Sequence, residues 1–178
     1  MRSFNNFKHT QIYYSVSVDG KEIHRVVNED PRTFQDVRVF AGDKFYSPAD
    51  ASYRHLVWEN IGPSGDVKRN TEIETIPTWG PLFRVSFDLK INSLKSGNKG
   101  GWSSVISFKG NEGKKDLGNH GDRIPAVFMN KNGRLHFRSS VSGNTNHKLS
   151  SAVQLKKWLR VVIEQNLSNE KVVNGAFF

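Results

Sequence analysis

The fold is decided by the stretch Phe83-Arg84-Val85-Ser86-Phe87-Asp88-Leu89-Lys90-Ile91. Its odd-numbered residues are all apolar and its even-numbered residues are all polar or charged. Because successive side chains of a β-strand point to opposite faces, this alternation predicts a strand with one buried and one solvated face. Such strands are typical of antiparallel sheets that cover one side of a core.

Turn signals on both sides of this strand predict further antiparallel structure. Alternation over Tyr14–Val18 is followed by Asp19-Gly20 and by residues 22–27, which together predict a β-hairpin. The run Asn130-Lys131-Asn132-Gly133 predicts a second tight turn. Other predicted strands are residues 37–40, 53–58, 72–76, 102–108, 124–129, 135–138 and 155–164. Ten short strands without a convincing amphipathic helix predict an all-β sandwich or barrel.

The length of 178 residues fits one domain with one core, and we predict a single domain over residues 1–178. A Gly- and Pro-containing segment, residues 59–70, reads as a linker between residues 1–58 and residues 71–178. The apolar runs are too short to span a bilayer, so we expect no membrane span. Residues 1–10 lack the apolar stretch of a secretory signal peptide.

The chain is basic, with a formal net charge of +9 and an isoelectric point near 9.9. Such a charge attracts polyanions, and sulfated glycan, nucleic acid and anionic membrane all remain open. The alternative is a solvated surface that only keeps the protein soluble. We consider nucleic acid unlikely, because the basic loops lack a stacking sheet or a known binding motif. Their lysines are Lys95, Lys99, Lys109, Lys114 and Lys115.

The sequence carries no recognisable catalytic motif. Because cysteine is absent, disulfides, thiolate metal sites and cysteine nucleophiles are excluded. The nucleophile-elbow, zinc-protease and phosphate-loop patterns are missing, and the six histidines are scattered singly. A carboxylate pair assembled in space stays open, but nothing in the sequence indicates one. We therefore expect a binding protein that is not an enzyme.

The loop over residues 41–52 has the composition of a binding loop, with two acids, two aromatic residues and a proline between predicted strands. Its candidate ligand-binding residues are Asp43, Phe45, Tyr46 and Asp50. The alternative is a packed corner, in which the aromatic rings plug one end of the fold and the two carboxylates accept backbone hydrogen bonds.

Three stretches resemble the farnesoic acid O-methyltransferase-like domain of cnidarian and mollusc proteins. Residues 34–56 are similar to its C-terminal signature, residues 76–89 to its N-terminal opening, and residues 121–128 to its middle. This resemblance implies an antiparallel two-sheet β-sandwich of the concanavalin A-like jelly-roll and laminin-G type, and an extracellular location. It implies no methyl transfer, because the chain lacks the Gly-rich strand-to-helix turn of such enzymes.

The order of these stretches differs from that of the family, because the C-terminal signature comes first. The chain therefore resembles a circularly permuted domain. In a permuted monomer both termini should lie together at one edge of the sandwich. The alternative is an exchange of halves between chains, which would give a homo-oligomer. An edge near Val172 and Phe177-Phe178 would favour such pairing.

The resemblance implies a lectin-like recognition module for carbohydrate or another extracellular ligand. It also implies a calcium site at Asp122, which occupies the place of a laminin-G calcium ligand, with Asp43 or Asp50 as a second carboxylate and backbone carbonyls as the remaining ligands. The alternative for Asp122 is an ion pair with Arg123 or a capped turn. Arg123 completes the candidate ligand-binding residues. The second function class is a self-assembling structural repeat unit of an extracellular matrix or another abundant protein.

Overall fold

The computed structural model describes residues 11–43, 45–58, 65–94, 101–110 and 118–167, and these residues form strands, turns and loops without a helix. The strands are β1 (Ile12–Val18), β2 (Lys21–Val27), β3 (Phe34–Phe40), β4 (Ser47–Pro48), β5 (Ala51–Val57), β6 (Gly65–Asp66), β7 (Glu72–Trp79), β8 (Phe83–Ile91), β9 (Trp102–Lys109), β10 (Ala126–Asn130), β11 (Arg134–Val141), β12 (Asn144–Ala152) and β13 (Trp158–Leu167). In this part of the chain no helix is long and apolar enough to cross a membrane.

The strands form two sheets that enclose one core, which confirms the predicted antiparallel two-sheet β-sandwich. Sheet A has the order β2-β1-β13-β8-β5-β6, and sheet B has the order β12-β11-β10-β9-β3-β7, with β4 beside β9. All pairings are antiparallel except the short β4–β9 bridge. Side chains of both sheets, among them Trp58, Phe87, Phe108 and Phe137, fill the space between them.

The strongest sequence signals are confirmed. Strand β8 has the bounds of the alternating stretch, Phe83–Ile91. The first predicted hairpin forms between β1 and β2, and both of its turn residues have positive φ, 50° at Asp19 and 76° at Gly20. That pair of dihedrals belongs to the tight turn that Asp-Gly favours between twisted strands. The second predicted turn joins β10 to β11, where the N–H of Gly133 donates to the carbonyl of Asn130.

Two stretches near the C-terminal end differ from the prediction. Strand β12 was not predicted, because it is a polar edge strand, Asn-Thr-Asn-His-Lys-Leu-Ser-Ser-Ala, without apolar alternation. The last strand begins at Trp158 and not at Leu155. Lys156 has a positive φ of 61°, and its N–H donates to the carbonyl of Ile91, so the residues before Trp158 form a turn.

The first and last strands pair with each other inside sheet A. Ile12 lies opposite Leu167 and Val18 opposite Val161, so the two ends of the described chain lie side by side. A circularly permuted monomer should have its two ends side by side, as they are here. The prediction placed them at an edge of the sandwich, however, and the edge strand of sheet A is β2. The permuted order itself stays a prediction, and residues 172, 177 and 178 lie outside the described residues.

The predicted linker is only partly within the described residues. Residues 59–64 lie outside them, whereas Gly65–Asp66 form β6 and pair with β5. Val67 is buried in the core and its N–H donates to the carbonyl of Ala51. Residues 65–67 are therefore part of the sandwich.

Candidate ligand-binding face

The Asp43 carboxylate is buried and closes its own loop. Its Oδ1 accepts the backbone N–H groups of Phe45 and Tyr46 at 2.9 Å each. Its Oδ2 lies 3.8 Å from the Nζ of Lys109, and both side chains are almost fully buried, with 1% and 2% exposure. Lys109 also lies under the ring of Phe45, with its Nζ 5.4 Å from the ring centroid. In this geometry Asp43 accepts backbone hydrogen bonds within a packed corner, which was the alternative to a ligand-binding role. The positive charge of Lys109 disfavours the binding of a second cation beside Asp43.

The other candidates in this loop have different surroundings. Tyr46 packs edge-on against Phe128, with ring centroids 5.0 Å apart. The Asp50 carboxylate accepts the hydroxyl of Ser93 at 2.5 Å, and the Asp50 carbonyl accepts the N–H of Asn92. Asp50 therefore ties the start of β5 to the end of β8. Tyr46 is the member of the loop that joins a larger aromatic surface.

Asp122 and Arg123 precede β10. Asp122 is buried and its Oδ2 accepts the N–H of Asn119 at 2.7 Å, so this carboxylate closes a turn as Asp43 does. The guanidinium of Arg123 lies 5.8 Å from the ring centroid of Phe128, and its Nη1 donates to the Oδ1 of Asn146 at 2.5 Å. Tyr46 and Arg123, predicted separately, thus contact the same ring.

The ladder of sheet B assembles further side chains around that ring. Phe128 lies opposite Ser104 on β9 and His136 on β11, and Trp102 lies opposite Asn130. Arg138 lies opposite Lys148 on β12. Since directly opposed residues share a face, and the alternate residues of β10 and β11 belong to the core, these side chains lie on the outer face of sheet B. We call this surface the basic aromatic face: Tyr46, Trp102, Arg123, Phe128, Arg134, His136, Arg138, Asn146 and Lys148.

Contacts within the basic aromatic face hold its rings in place. The ring of Trp102 packs edge-on against His136 with centroids 4.3 Å apart, and the guanidinium of Arg138 lies 5.6 Å from the Trp102 centroid. Arg138 also donates to the Oδ1 of Asn146 at 3.0 Å. Because Asn146 accepts from Arg123 as well, one amide oxygen orients two guanidinium groups.

The pKa of His136 reflects the charges on this face. Its pKa lies at about 4, lowered first by burial and then by the positive charges of Arg138, Arg134 and Lys148. Among the described residues, the charged groups that shift this pKa are all cations. The face therefore carries a positive potential that favours a bound anion.

Sequence reasoning found Tyr46 and Arg123 but missed the rest of this face. One signal was available: Arg134, His136 and Arg138 alternate within a predicted strand, so they share one side of it. The sequence could not predict that Trp102 and Lys148 belong to this face, because their positions depend on strand pairing. The polar strand that carries Asn146 and Lys148 had no apolar pattern to reveal it.

Among the described residues, no group of three or more His, Cys, Asp or Glu side chains could hold a metal ion. The calcium site at Asp122 and Asp43 stays a prediction. Comparison of the chain with protein-family models, with characterised proteins and with solved structures finds no match. The family resemblance of residues 34–56, 76–89 and 121–128 also stays a prediction.

Proposed function

We propose that this protein is a non-enzymatic, lectin-like recognition module that binds acidic carbohydrate on its basic aromatic face. The observation that carries the proposal is the placement of the half-buried Trp102 ring beside the cations that lower the pKa of His136. Phe128 is only 4% exposed and supports the face from beneath Tyr46 and Arg123. Aromatic rings offer an apolar platform to the C–H face of a sugar, and guanidinium groups bind sulfate or carboxylate through paired N–H donors. An extracellular location accompanies this proposal.

Carbohydrate is favoured over nucleic acid by the position of the one predicted basic-loop lysine that the structure describes. Lys109 is buried beneath Phe45 and paired with Asp43, so it is not available to a phosphate backbone. Residues 95, 99, 114 and 115 lie outside the described residues. The exposed cations lie instead beside a tryptophan and an amide, on a β-sheet face that can accommodate a flat sugar chain.

The direct test compares a sulfated polysaccharide, heparin, with the same polymer after complete desulfation. We expect the native protein to bind heparin, and Trp102→Ala to weaken that binding by about tenfold, which corresponds to ~1.4 kcal/mol. Tyr13→Ala is the matched control, because Tyr13 lies on β1 of sheet A with the guanidinium carbon of Arg25 4.4 Å from its ring centroid. Binding to neither polymer, or equal weakening by both variants, would contradict the proposal, and preference for single-stranded DNA over heparin would replace it with nucleic-acid binding.

The structural-repeat alternative depends on exchange of halves between chains. The β1–β13 ladder joins the two halves over seven residue pairs, so it is the contact that an exchange would transfer to a second chain. Light scattering across a concentration series tests this point. We expect a constant monomer mass, whereas a mass that rises with concentration would favour the self-assembling unit.

A further inference from the structure

A second concave site lies away from the basic aromatic face, at one end of the sandwich. There the turn after β1 meets the connection from β12 to β13 and encloses a cleft of about 290 Å³. This volume is at the lower end of the ~300–1,000 Å³ typical of small-molecule sites, so it suits one small ring. The residues that line the cleft include Asp19, Val153, Gln154, Lys157, Trp158 and Leu159.

The apolar part of the cleft contains an exposed tryptophan. Trp158 is 37% exposed, although a large aromatic side chain is more often covered. Its ring is held by two cations, with the guanidinium carbon of Arg54 4.2 Å and the Nζ of Lys90 5.0 Å from the centroid. A ring that is already fixed loses little conformational entropy when a ligand packs against its uncovered part.

The polar part of the cleft combines an acceptor with donors. The Oδ1 of Asp19 accepts the backbone N–H of Arg160 at 2.7 Å, and the N–H of Asp19 donates to the carbonyl of Arg160, so this carboxylate is anchored at the rim. Gln154 and Lys157 add an amide and an ammonium group to the lining. An anchored carboxylate, an amide and an ammonium beside an indole ring form a set that suits a small polyhydroxylated ligand.

We infer that this cleft is a second binding site, which takes a single pyranose ring packed against the part of Trp158 that lines the cleft, with its hydroxyl groups hydrogen-bonded to Asp19 and Gln154. The site is independent of the proposed binding on the basic aromatic face, because it shares no residue with it. Neutral sugars are suitable ligands here, since the lining carries one acidic and one basic side chain, Asp19 and Lys157.

The test is an NMR titration of the isotope-labelled protein with single pyranosides. The probes are the methyl glycosides of glucose, galactose, mannose and fucose, together with N-acetylglucosamine and glucuronate. For at least one probe we expect saturable shifts confined to the amides of residues 18–20 and 152–160, with a dissociation constant on the order of 1–10 mM. Trp158→Ala should abolish these shifts, whereas Trp102→Ala should leave them unchanged.

A second variant keeps the test decisive if Trp158→Ala perturbs folding. Asp19→Asn retains the positive-φ turn and the oxygen that accepts the Arg160 N–H, but it removes the charge. We expect it to weaken binding at least threefold without changing the amide spectrum elsewhere. Absence of saturable shifts for every probe, or shifts that survive in Trp158→Ala, would overturn the inference. Heparin binding measured on the same samples tests the basic aromatic face separately.

Discussion

The arginines on the outer face of sheet A and those of the basic aromatic face have different partners. On sheet A each arginine named here meets a carboxylate: Arg84 donates to Glu164 at 2.5 Å, and Arg54 and Arg160 each lie 3.1 Å from Asp88. On the basic aromatic face Arg123 and Arg138 meet an amide oxygen and aromatic rings. On sheet A the arginines thus share the carboxylates of Asp88 and Glu164, whereas Arg134, Arg138 and Lys148 on the basic aromatic face act together to lower the pKa of His136.

The two faces also differ in where their charge pairs lie. The pairs of sheet A are partly exposed, and ion pairs of this kind contribute little to stability. The pair beneath the loop of the basic aromatic face, Asp43 with Lys109, is buried on both sides. Removal of one member of that pair takes the opposite charge away from a buried ionic group, so the same kind of substitution should have very different effects on the two faces.

The largest expected effect is that of Lys109→Met. The substitution retains most of the side-chain volume but leaves the buried Asp43 carboxylate without its ammonium partner. We expect the free energy of unfolding to fall by about 3–5 kcal/mol, as measured by urea denaturation. The double variant Asp43→Asn/Lys109→Met removes both charges and keeps an Oδ1 acceptor for Phe45 and Tyr46, so it should recover most of the loss. A loss below 1 kcal/mol in the single variant would show that the pair is not a buried anchor.

A smaller effect is expected from neutralising two cations on each face. Arg134→Gln/Lys148→Gln should weaken heparin binding by about tenfold and lower the salt dependence of its affinity by on the order of one ion per cation removed. The matched control is Arg25→Gln/Arg84→Gln on sheet A, where Glu22 and Glu164 already partner the arginines. Isothermal titration at several salt concentrations measures both quantities. Equal losses in the two variants would mean that only net charge matters.

Local structure could be predicted from the sequence, whereas the buried charge pair could not. The strand over Phe83–Ile91 and the Asp19-Gly20 hairpin were predictable, because alternation and turn propensity are local properties. The buried pair was not, since Lys109 lies 66 positions from Asp43 and only the loop after β3 brings them together. A lysine in a sequence is most often exposed, so composition placed Lys109 among the basic loops and missed its burial.

The candidate site shows the same limit. Tyr46 and Arg123 were found for separate reasons, and only their shared contact with Phe128 makes them one surface. His136 gave no sign of its role, because its pKa depends on cations that the ladder of β11 and β12 places around it. Side chains that alternate on one strand can be read from sequence, whereas the neighbours across strands require the register.

His136 provides the third prediction, a pH dependence of binding. Its folded-state pKa of about 4 lies below the ordinary value near 6.5, so the free protein resists protonation there and loses stability as the pH falls through that range. A bound polyanion offsets Arg134, Arg138 and Lys148 and should raise this pKa. We therefore expect heparin affinity to increase several-fold between pH 7 and pH 5 and the increase to disappear in His136→Gln.

The control for this dependence is another histidine whose pKa is also lowered by burial. His147 lies on β12 with its Nε2 2.9 Å from that of His24, at the facing edges of the two sheets, and is absent from the basic aromatic face. His147→Gln should change the acid stability but leave the pH dependence of heparin binding intact. Loss of that dependence in His147→Gln, or its persistence in His136→Gln, would assign the effect to another group.

The smallest expected effect is that of Asp88→Asn on sheet A. Desolvation acts to raise the pKa of Asp88, but hydrogen bonds from His55, Arg160 and Arg54 outweigh it and hold the pKa below its usual range. A lowered carboxyl pKa contributes stability above the unfolded value near 3.9 and loses it as the pH falls through the folded value. Because these partners are largely exposed, we expect Asp88→Asn to cost less than about 1 kcal/mol at pH 7, as measured by urea denaturation. The cost should shrink as the pH falls below the unfolded value near 3.9. A cost equal to that of Lys109→Met would contradict the expected difference in stability between the partly exposed ion pairs of sheet A and the buried pair of Asp43 and Lys109.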